Sequence, residues 1–359
     1  MKDNRSKSTN LFSLRGNTTK KSIKNSKNNN NVKNKISEID TTKFKNSLET
    51  GKSNIMVAVR CRPLSTKESD ISMQETIQIL NRNIVCVIDP GTSEDVFKNK
   101  SREQQYAFDF AFDKNTTQSE VYENTTKFLL SGILEGFNAT VFAYGATGAG
   151  KTYTMLGTGD NPGIMVRSLS DLFVIIDKAK EQREFTIKLS YVEIYNESLR
   201  DLIEKGENLE MREDPIKGNQ IVGLTEIEVT NVTEVFKLLL KGNKNRTTET
   251  TNVNESSSRS HAVLQITIDN KQIYKKSNNQ IPETTIGKFI LVDLAGSERA
   301  ANTQNTGLRL VEGGNINKSL LNLGTCINAL VEISNGSEKS FIPWRNSKLT
   351  RILKVRISL

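Results

Sequence analysis

The chain has 359 residues, 25% of them charged and 35% hydrophobic, with a net charge of +9, which is enough chain for one large core or two ordinary ones. The charge is unevenly placed: residues 1–52 carry 13 Lys and Arg against 4 Asp and Glu, whereas the remaining 307 residues carry 37 of each. The part that can fold is neutral, which removes the electrostatic argument for a nucleic-acid binder, and no apolar run reaches the ~20 residues of a membrane span.

Cys61, Cys86 and Cys326 are scattered, so neither a zinc site nor a disulfide framework is indicated, in keeping with a reducing, intracellular setting. The N-terminus lacks the apolar stretch of a secretory signal. Its basic, Ser-rich character suits a mitochondrial presequence, but no amphipathic pattern accompanies it.

Residues 1–52 are rich in Asn, Lys and Ser, with four consecutive Asn at 28–31. So few apolar groups cannot offset chain entropy, and the segment is expected to be disordered. It is either an extension of no specific role or an electrostatic tether to an acidic polymer. Order is expected from residue 53. A strand at 55–59, buried on both faces, leads into Arg60-Cys61-Arg62-Pro63. A second strand covers 84–88, and 89–105 reads as a polar loop. Helical spacing of Val121, Phe128 and Leu129 predicts a helix over 118–130. The β-formers at 140–144 then stop at Gly145, and a helix follows. Another helix spans 163–180, with Leu169, Leu172, Phe173 and Ile176 on one face.

Downstream, the pattern predicts a strand at 185–195, short strands in a hairpin-rich region at 207–229, and a helix at 232–244 striped by Val235, Phe236, Leu238 and Leu239. Residues 262–268 alternate as a half-buried strand, and 286–294 form a buried one. A long helix at 310–334 and a last one at 346–354 complete the series. This order predicts an α/β fold with a central mixed sheet covered by helices on both faces. With no internal repeat, it is expected to be one domain.

The segment Gly145-Ala146-Thr147-Gly148-Ala149-Gly150-Lys151-Thr152 has the G-x-x-x-x-G-K-[ST] spacing of a phosphate-binding loop. Its glycines allow φ > 0, so that backbone N–H groups turn inward around an anion. Lys151 can reach β- and γ-phosphates, Thr152 can offer a hydroxyl to Mg²⁺, and the following helix points its positive end at the site. Phe289 to Val292 lead a buried strand into Asp293, followed by Gly296, the layout of a Walker-B-type element. Asn254-Glu255-Ser256-Ser257-Ser258-Arg259-Ser260-His261 places hydroxyls and a guanidinium before a strand, suited to Mg²⁺ and water, though a solvated Ser-rich loop has the same composition. His261, the single histidine, is expected to be a hydrogen-bonded structural residue.

Residues 145–152, 254–261 and Asp293-Leu294-Ala295-Gly296-Ser297-Glu298-Arg299 resemble, in order and spacing, the phosphate loop, switch I and switch II of kinesin motor domains. Arg60-Cys61-Arg62-Pro63 resembles the adenine-binding segment, residues 312–320 the start of the relay helix, and Ser347-Lys348-Leu349-Thr350-Arg351 the microtubule-facing helix near the domain's end. The resemblance covers about 53–354. Ala146, Ala149, Arg212-Glu213-Asp214 and the segment 242–247 are similar to kinesin-8 motors, which walk to microtubule plus ends and in some cases shorten them.

The resemblance implies roles. Lys151 and the loop amides would hold ATP's phosphates; Thr152 and Ser258 would ligate Mg²⁺, with Asp293 behind a bound water. Arg60, Arg62, Pro63 and Tyr153 would frame the adenine. Ser257 and Ser258 would serve switch I, Arg259 and Glu298 would pair when the switches close, and the Gly296 N–H would report the γ-phosphate. Arg345, Lys348 and Arg351 would face tubulin, although a solvated helix face is the plainer account of them. The implied protein is a microtubule-stimulated ATPase of the cytoplasm and cytoskeleton, at microtubules of a spindle or axoneme. It would be a monomer as given and a dimer within a longer chain. A guanine site is disfavoured, because Asn243-Lys244 and Asn317-Lys318 are not followed by x-Asp.

Two departures qualify this. After Lys354 the family continues into a central strand, a final helix and a neck linker, whereas this chain reads Val355-Arg356-Ile357-Ser358-Leu359. A sheet short of one strand and a motor without its lever are expected, and binding without productive turnover is the alternative function. Trp344 stands where Tyr is usual. The loop 89–105 has 3 basic and 4 acidic residues, which gives no electrostatic support for microtubule shortening.

Overall fold

A computed structural model describes residues 55–70, 75–89, 102–204, 209–214, 218–248, 256–273, 284–298, 308–336 and 341–357. The extension 1–52, most of the loop 89–105, Asn254, Glu255, Arg299, Ser358 and Leu359 lie outside the described residues. These fall into two compact units, Ile55–Asn115 and Thr116–Leu359.

In the first unit, strand β1 (Ala58–Arg60) pairs in parallel with β5 (Phe110–Phe112). Helix α1 (Thr66–Asp70) follows β1, and its first turn is fixed by reciprocal bonds between Ser65 and Glu68, a capping box. Strands β2 (Ile77–Asn81), β3 (Ile84–Asp89) and β4 (Arg102–Ala107) form an antiparallel meander. The Asn81 side chain accepts the N–H groups of Asn83 and Ile84 and so closes the β2–β3 turn. Two expectations are corrected here. The first strand is short and half open, with Val57 45% exposed, because the strand it pairs with among the described residues has three residues. Residues 102–105, expected in a loop, are strand: β3 gives them a ladder, and an exposed strand tolerates Arg-Glu-Gln-Gln.

In the second unit, α2 (Gln118–Thr125) and α3 (Leu129–Leu134) replace the single helix expected over 118–130. The break is at Thr126, whose φ and ψ of −124° and −35° leave the helical region. Strand β6 (Asn138–Ala143) runs into the glycine loop and α4 (Lys151–Met155). Helix α5 (Ile164–Ala179) buries Leu169, Leu172, Phe173 and Ile176, the stripe read from its periodicity. Then come β7 (Arg183–Tyr195), β8 (Ser198–Asp201), the β9 (Glu210–Asp214) and β10 (Gly218–Val222) hairpin, β11 (Ile227–Glu228) and α6 (Val232–Thr248). Helix α7 (Ser256–Arg259) leads into β12 (Ser260–Gln272), which is followed by β13 (Thr284–Asp293). The long α8 (Leu308–Ser334), a 3-10 turn (Trp344–Asn346) and α9 (Lys348–Ile357) end the series. Helix α9 thus continues through Val355 and Arg356, past the end expected for it.

The strand order is β11-β7-β12-β13-β6, with β8 on β7. β13 and β6 are parallel and the other pairs antiparallel, so the sheet is mixed as expected. Phe289, Ile290, Leu291 and Val292 are all 0% exposed; since neighbours on a strand face opposite ways, both faces of the sheet are covered. Parallel pairing puts the ends of β6 and β13 side by side, with Ala143 opposite Asp293. The phosphate-loop motif and the Walker-B-type carboxylate therefore leave the sheet together.

Candidate nucleotide site

The glycine loop takes the shape that its composition allows. Gly148 and Gly150 have φ of 79° and 91°, and Gly150 is the residue before α4. A Cβ at either would meet nothing within 4 Å, so backbone conformation, not crowding, calls for glycine here. Lys151 is buried, and its Nζ donates to the carbonyls of Gly145 and Ala146 at 3.0 Å each. Burial lowers its pKa, against the opposing pull of Asp293 and Glu298. Behind the loop, the buried Gln118 side chain donates to the Tyr153 carbonyl at 2.6 Å, tying α4 to α2. Tyr153 itself is 43% exposed, and its hydroxyl accepts from Asn161.

Asp293 is 0% exposed. Its Oδ2 accepts the Thr152 hydroxyl and Arg246 Nη1, both at 2.8 Å, while its Oδ1 has no partner. Arg246 comes from the last turns of α6, is 3% exposed, and also donates to the side chain and carbonyl oxygens of Ser260. Sequence reasoning missed Arg246 as a site residue. The one local signal was a cation following an apolar helix stripe, which in most helices marks only the C-terminal end.

Switch II lies against the loop. Glu298 accepts the Thr147 N–H at 2.9 Å and the Thr147 hydroxyl at 2.5 Å. Burial works to raise the Glu298 pKa, but these bonds together with Lys151 outweigh it and hold the carboxyl below its ordinary value. The carboxylate therefore occupies N–H and O–H donors of the kind that receive a phosphate. A Cβ on Gly296 would come within 2.4 Å of Glu298 Oε2 and of Thr147 Oγ1, so glycine is needed for this close approach. The Gly296 N–H, expected to point at a γ-phosphate, donates to the Ser258 carbonyl at 2.7 Å, and the Ser297 N–H donates to Gly145 O at 3.1 Å. Glu298, expected to pair with Arg259 on closure, is on Thr147 in this state. Arg259 lines a small cavity with Asn196, Glu197, His261, Asn315 and Ser319. Ser257 is in α7, but its side chain lies outside the description.

His261 is structural, as expected. Nδ1 accepts the Ala295 N–H at 3.0 Å, so Nε2 carries the proton and donates to Ser319 Oγ at 2.8 Å, which donates on to Ile316 O. Burial, then the Arg246 and Lys151 charges, push its pKa down to about 3. It is a neutral bridge from switch II to α8.

The remaining expected residues lie on other elements of the chain. Arg60, Arg62 and Pro63 belong to the first unit, where Arg62 donates to the Pro63 carbonyl and forms two bonds of 2.7 and 2.6 Å with Glu68. Arg345 is in the 3-10 turn and pairs with Glu213 at 2.8 Å. The Lys348 N–H opens α9 on the Glu197 carboxylate. Arg351 departs from a solvated position: its Nε is buried and unpartnered, and its carbonyl accepts from Asn219.

The pieces fit a magnesium nucleotide. An unpartnered oxygen on a buried carboxylate beside the Thr152 hydroxyl suits a hydrated cation, and a loop already gripping a carboxylate suits an anion.

A profile for the kinesin motor domain matches residues 60–358. The chain is 47% identical to kinesin-like protein KIF19 of Xenopus laevis over 316 residues, covering 87% of this chain and 31% of that protein. It is 48% identical to kinesin-like protein KIN-8A of Oryza sativa subsp. japonica (84% and 38% covered) and 44% identical to kinesin-like protein KIF18A of Mus musculus (83% and 34% covered). The chain thus spans about a third of the length of these relatives. Among solved structures, a KIF14 motor with ADP in complex with a microtubule aligns with TM-score 0.74 at 35% identity, covering 84% of this chain and 85% of that one. A fast kinesin aligns at 0.73 and 37%, covering 85% and 81%. The chain belongs to the kinesin motor domain family and resembles its kinesin-8 branch.

Proposed function

We propose that this chain hydrolyses Mg-ATP, that microtubules accelerate the turnover, and that in its longer protein the cycle drives plus-end-directed movement. The observation that carries the reading is the convergence of Lys151, Thr152 and Asp293, from the glycine loop, α4 and β13, with one buried Asp293 oxygen unpartnered. The relatives support it, and a solved neighbour holds ADP on a microtubule.

In this reading Lys151, now on two loop carbonyls, would hold phosphate oxygens, and Thr152, now on Asp293, would offer its hydroxyl to the metal. Bound Mg²⁺ supplies charge neutralisation on the phosphates. Ser258 would hold the metal with a second hydroxyl, and Asp293 would help to hold it through the oxygen that now has no partner. Glu298 leaves Thr147 to pair with Arg259, and the Gly296 N–H leaves Ser258 O. Site closure is thereby coupled to switch II, and through His261 and Ser319 to α8. Arg345 and Lys348 meet tubulin carboxylates.

The test is Lys151→Ala. It should abolish ATPase activity and reduce binding of a fluorescent ATP analogue by at least about 100-fold. Normal turnover in that variant would overturn the assignment. Binding without turnover in the unaltered chain would instead favour the alternative, for which one feature speaks: among the described residues, β6, which leads into the loop, pairs on one side only.

A further inference from the structure

The β9–β10 hairpin rests one face on α9. Glu213 and Asn219 are directly opposite in its ladder and so share a face. Met211, on the same face, is 9% exposed, and the Asn219 side chain donates to the Arg351 carbonyl at 2.6 Å. The Asn219 bond already seats the hairpin on α9. Glu213 does something else: one of its oxygens takes Arg345 and the other takes Lys354, both at 2.8 Å.

These cations come from different elements, the 3-10 turn and α9, and converge on one carboxylate. Bonds to Lys354 and then Arg345 hold the Glu213 pKa below its ordinary value. The group is ionised near neutral pH and removes one unit of positive charge from the surface. Arg345 is 73% exposed, and Glu213 and Lys354 are each 36% exposed. Ion pairs this open are worth little to the fold and are easily exchanged for another carboxylate. Nearby, Arg212 is already paired with Glu210 at 3.2 Å.

We infer that Glu213 is an internal stand-in for the partner's carboxylates: it keeps Arg345 and Lys354 aimed while lowering the attraction of this surface for an acidic polymer. This rests on the microtubule reading above. An acidic filament must compete with Glu213 for two cations, so the residue sets how tightly and how salt-sensitively the chain binds.

The experiment is co-sedimentation of the full chain with stabilised microtubules in ADP, at low salt and at 0.15 M salt. Glu213→Gln keeps the shape and removes the charge, and should tighten binding roughly 3- to 10-fold at low salt. The gain should shrink at 0.15 M, where the Debye length is about 8 Å. Glu213→Asp, which keeps the charge, should bind no tighter than the unaltered chain. In an Arg345→Ala/Lys354→Ala background, adding Glu213→Gln should change nothing, because its two partners are gone. Unchanged or weaker binding by Glu213→Gln, or tighter binding by Glu213→Asp, overturns the inference and leaves the microtubule reading standing. Failure of the unaltered chain to bind overturns both.

Discussion

Asp293 and Arg246 form an ion pair at 0% and 3% exposure, tolerable because opposite charges meet at 2.8 Å and the guanidinium also donates to Ser260. Removing one partner strands a buried charge. Arg246→Ala should therefore lose about 3–5 kcal/mol of stability in urea unfolding, against about 1 kcal/mol for an exposed Arg such as Arg212. A loss under 1 kcal/mol would mean that Asp293 does not depend on this partner. The sequence made one half of the pair legible and hid the other. Asp293 ends a buried apolar strand, a weak signal by itself because turns favour Asp, and it became legible through the glycine loop that precedes it in the chain. Arg246 follows a helix stripe and meets Asp293 only through the fold, 47 residues along the chain. The Glu298–Thr147 contact was hidden for the same reason, since each residue matched its motif but their separation of 151 residues carried no signal. His261 was legible as structural because a lone imidazole after a hydroxyl-rich loop has many hydrogen-bond partners to choose from.

At the scale of elements, legibility followed burial. The buried runs 262–264 of β12 and 289–292 of β13, and the stripe on α5, were readable because their apolar residues are covered. β4 was not, because a strand exposed on an edge keeps polar residues and shows no alternation. α2 and α3 merged in the reading because three helix-spaced apolar residues bridge a break that only the backbone at Thr126 reveals. α2 also shows how a local signal supports the site. Thr117 and Glu120 form a capping box, with the Thr117 hydroxyl accepting the Glu120 N–H at 3.2 Å and the Thr117 N–H donating to the Glu120 carboxylate at 2.8 Å. Gln118, the next residue after the cap, holds Tyr153 O. Thr117→Ala should cost about 1 kcal/mol, seen as an earlier urea midpoint. No change would mean that the α2 start is held by packing alone.

For the whole molecule, the described residues form two compact units, Ile55–Asn115 and Thr116–Leu359. The absence of repeats says nothing about which strands pair. β1 pairs with β5, and that choice is made by the backbone ladder. A global property with a sharper test is acid sensitivity. His261 is the only histidine in the chain, and its folded pKa is about 3 against 6.5 for the free side chain. Because the folded value is depressed, the stability it contributes is fully present above pH 6.5 and is lost progressively as pH falls from there towards 3. At pH 5.5 the loss should be about 1.4 kcal/mol relative to neutral pH. Denaturant unfolding at the two pH values measures it. A flat profile across this interval would mean that the imidazole is not held neutral.

The central claim is that the glycine loop, Asp293 and the two switches form an ATPase whose turnover answers to microtubules. The most direct measurement is the ATPase rate of this chain against microtubule concentration, with Lys151→Ala beside it. A low basal rate that rises to a plateau with microtubules in the unaltered chain, and stays at background in the variant, is the predicted result. A rate indifferent to microtubules, or equal in both chains, would contradict the account.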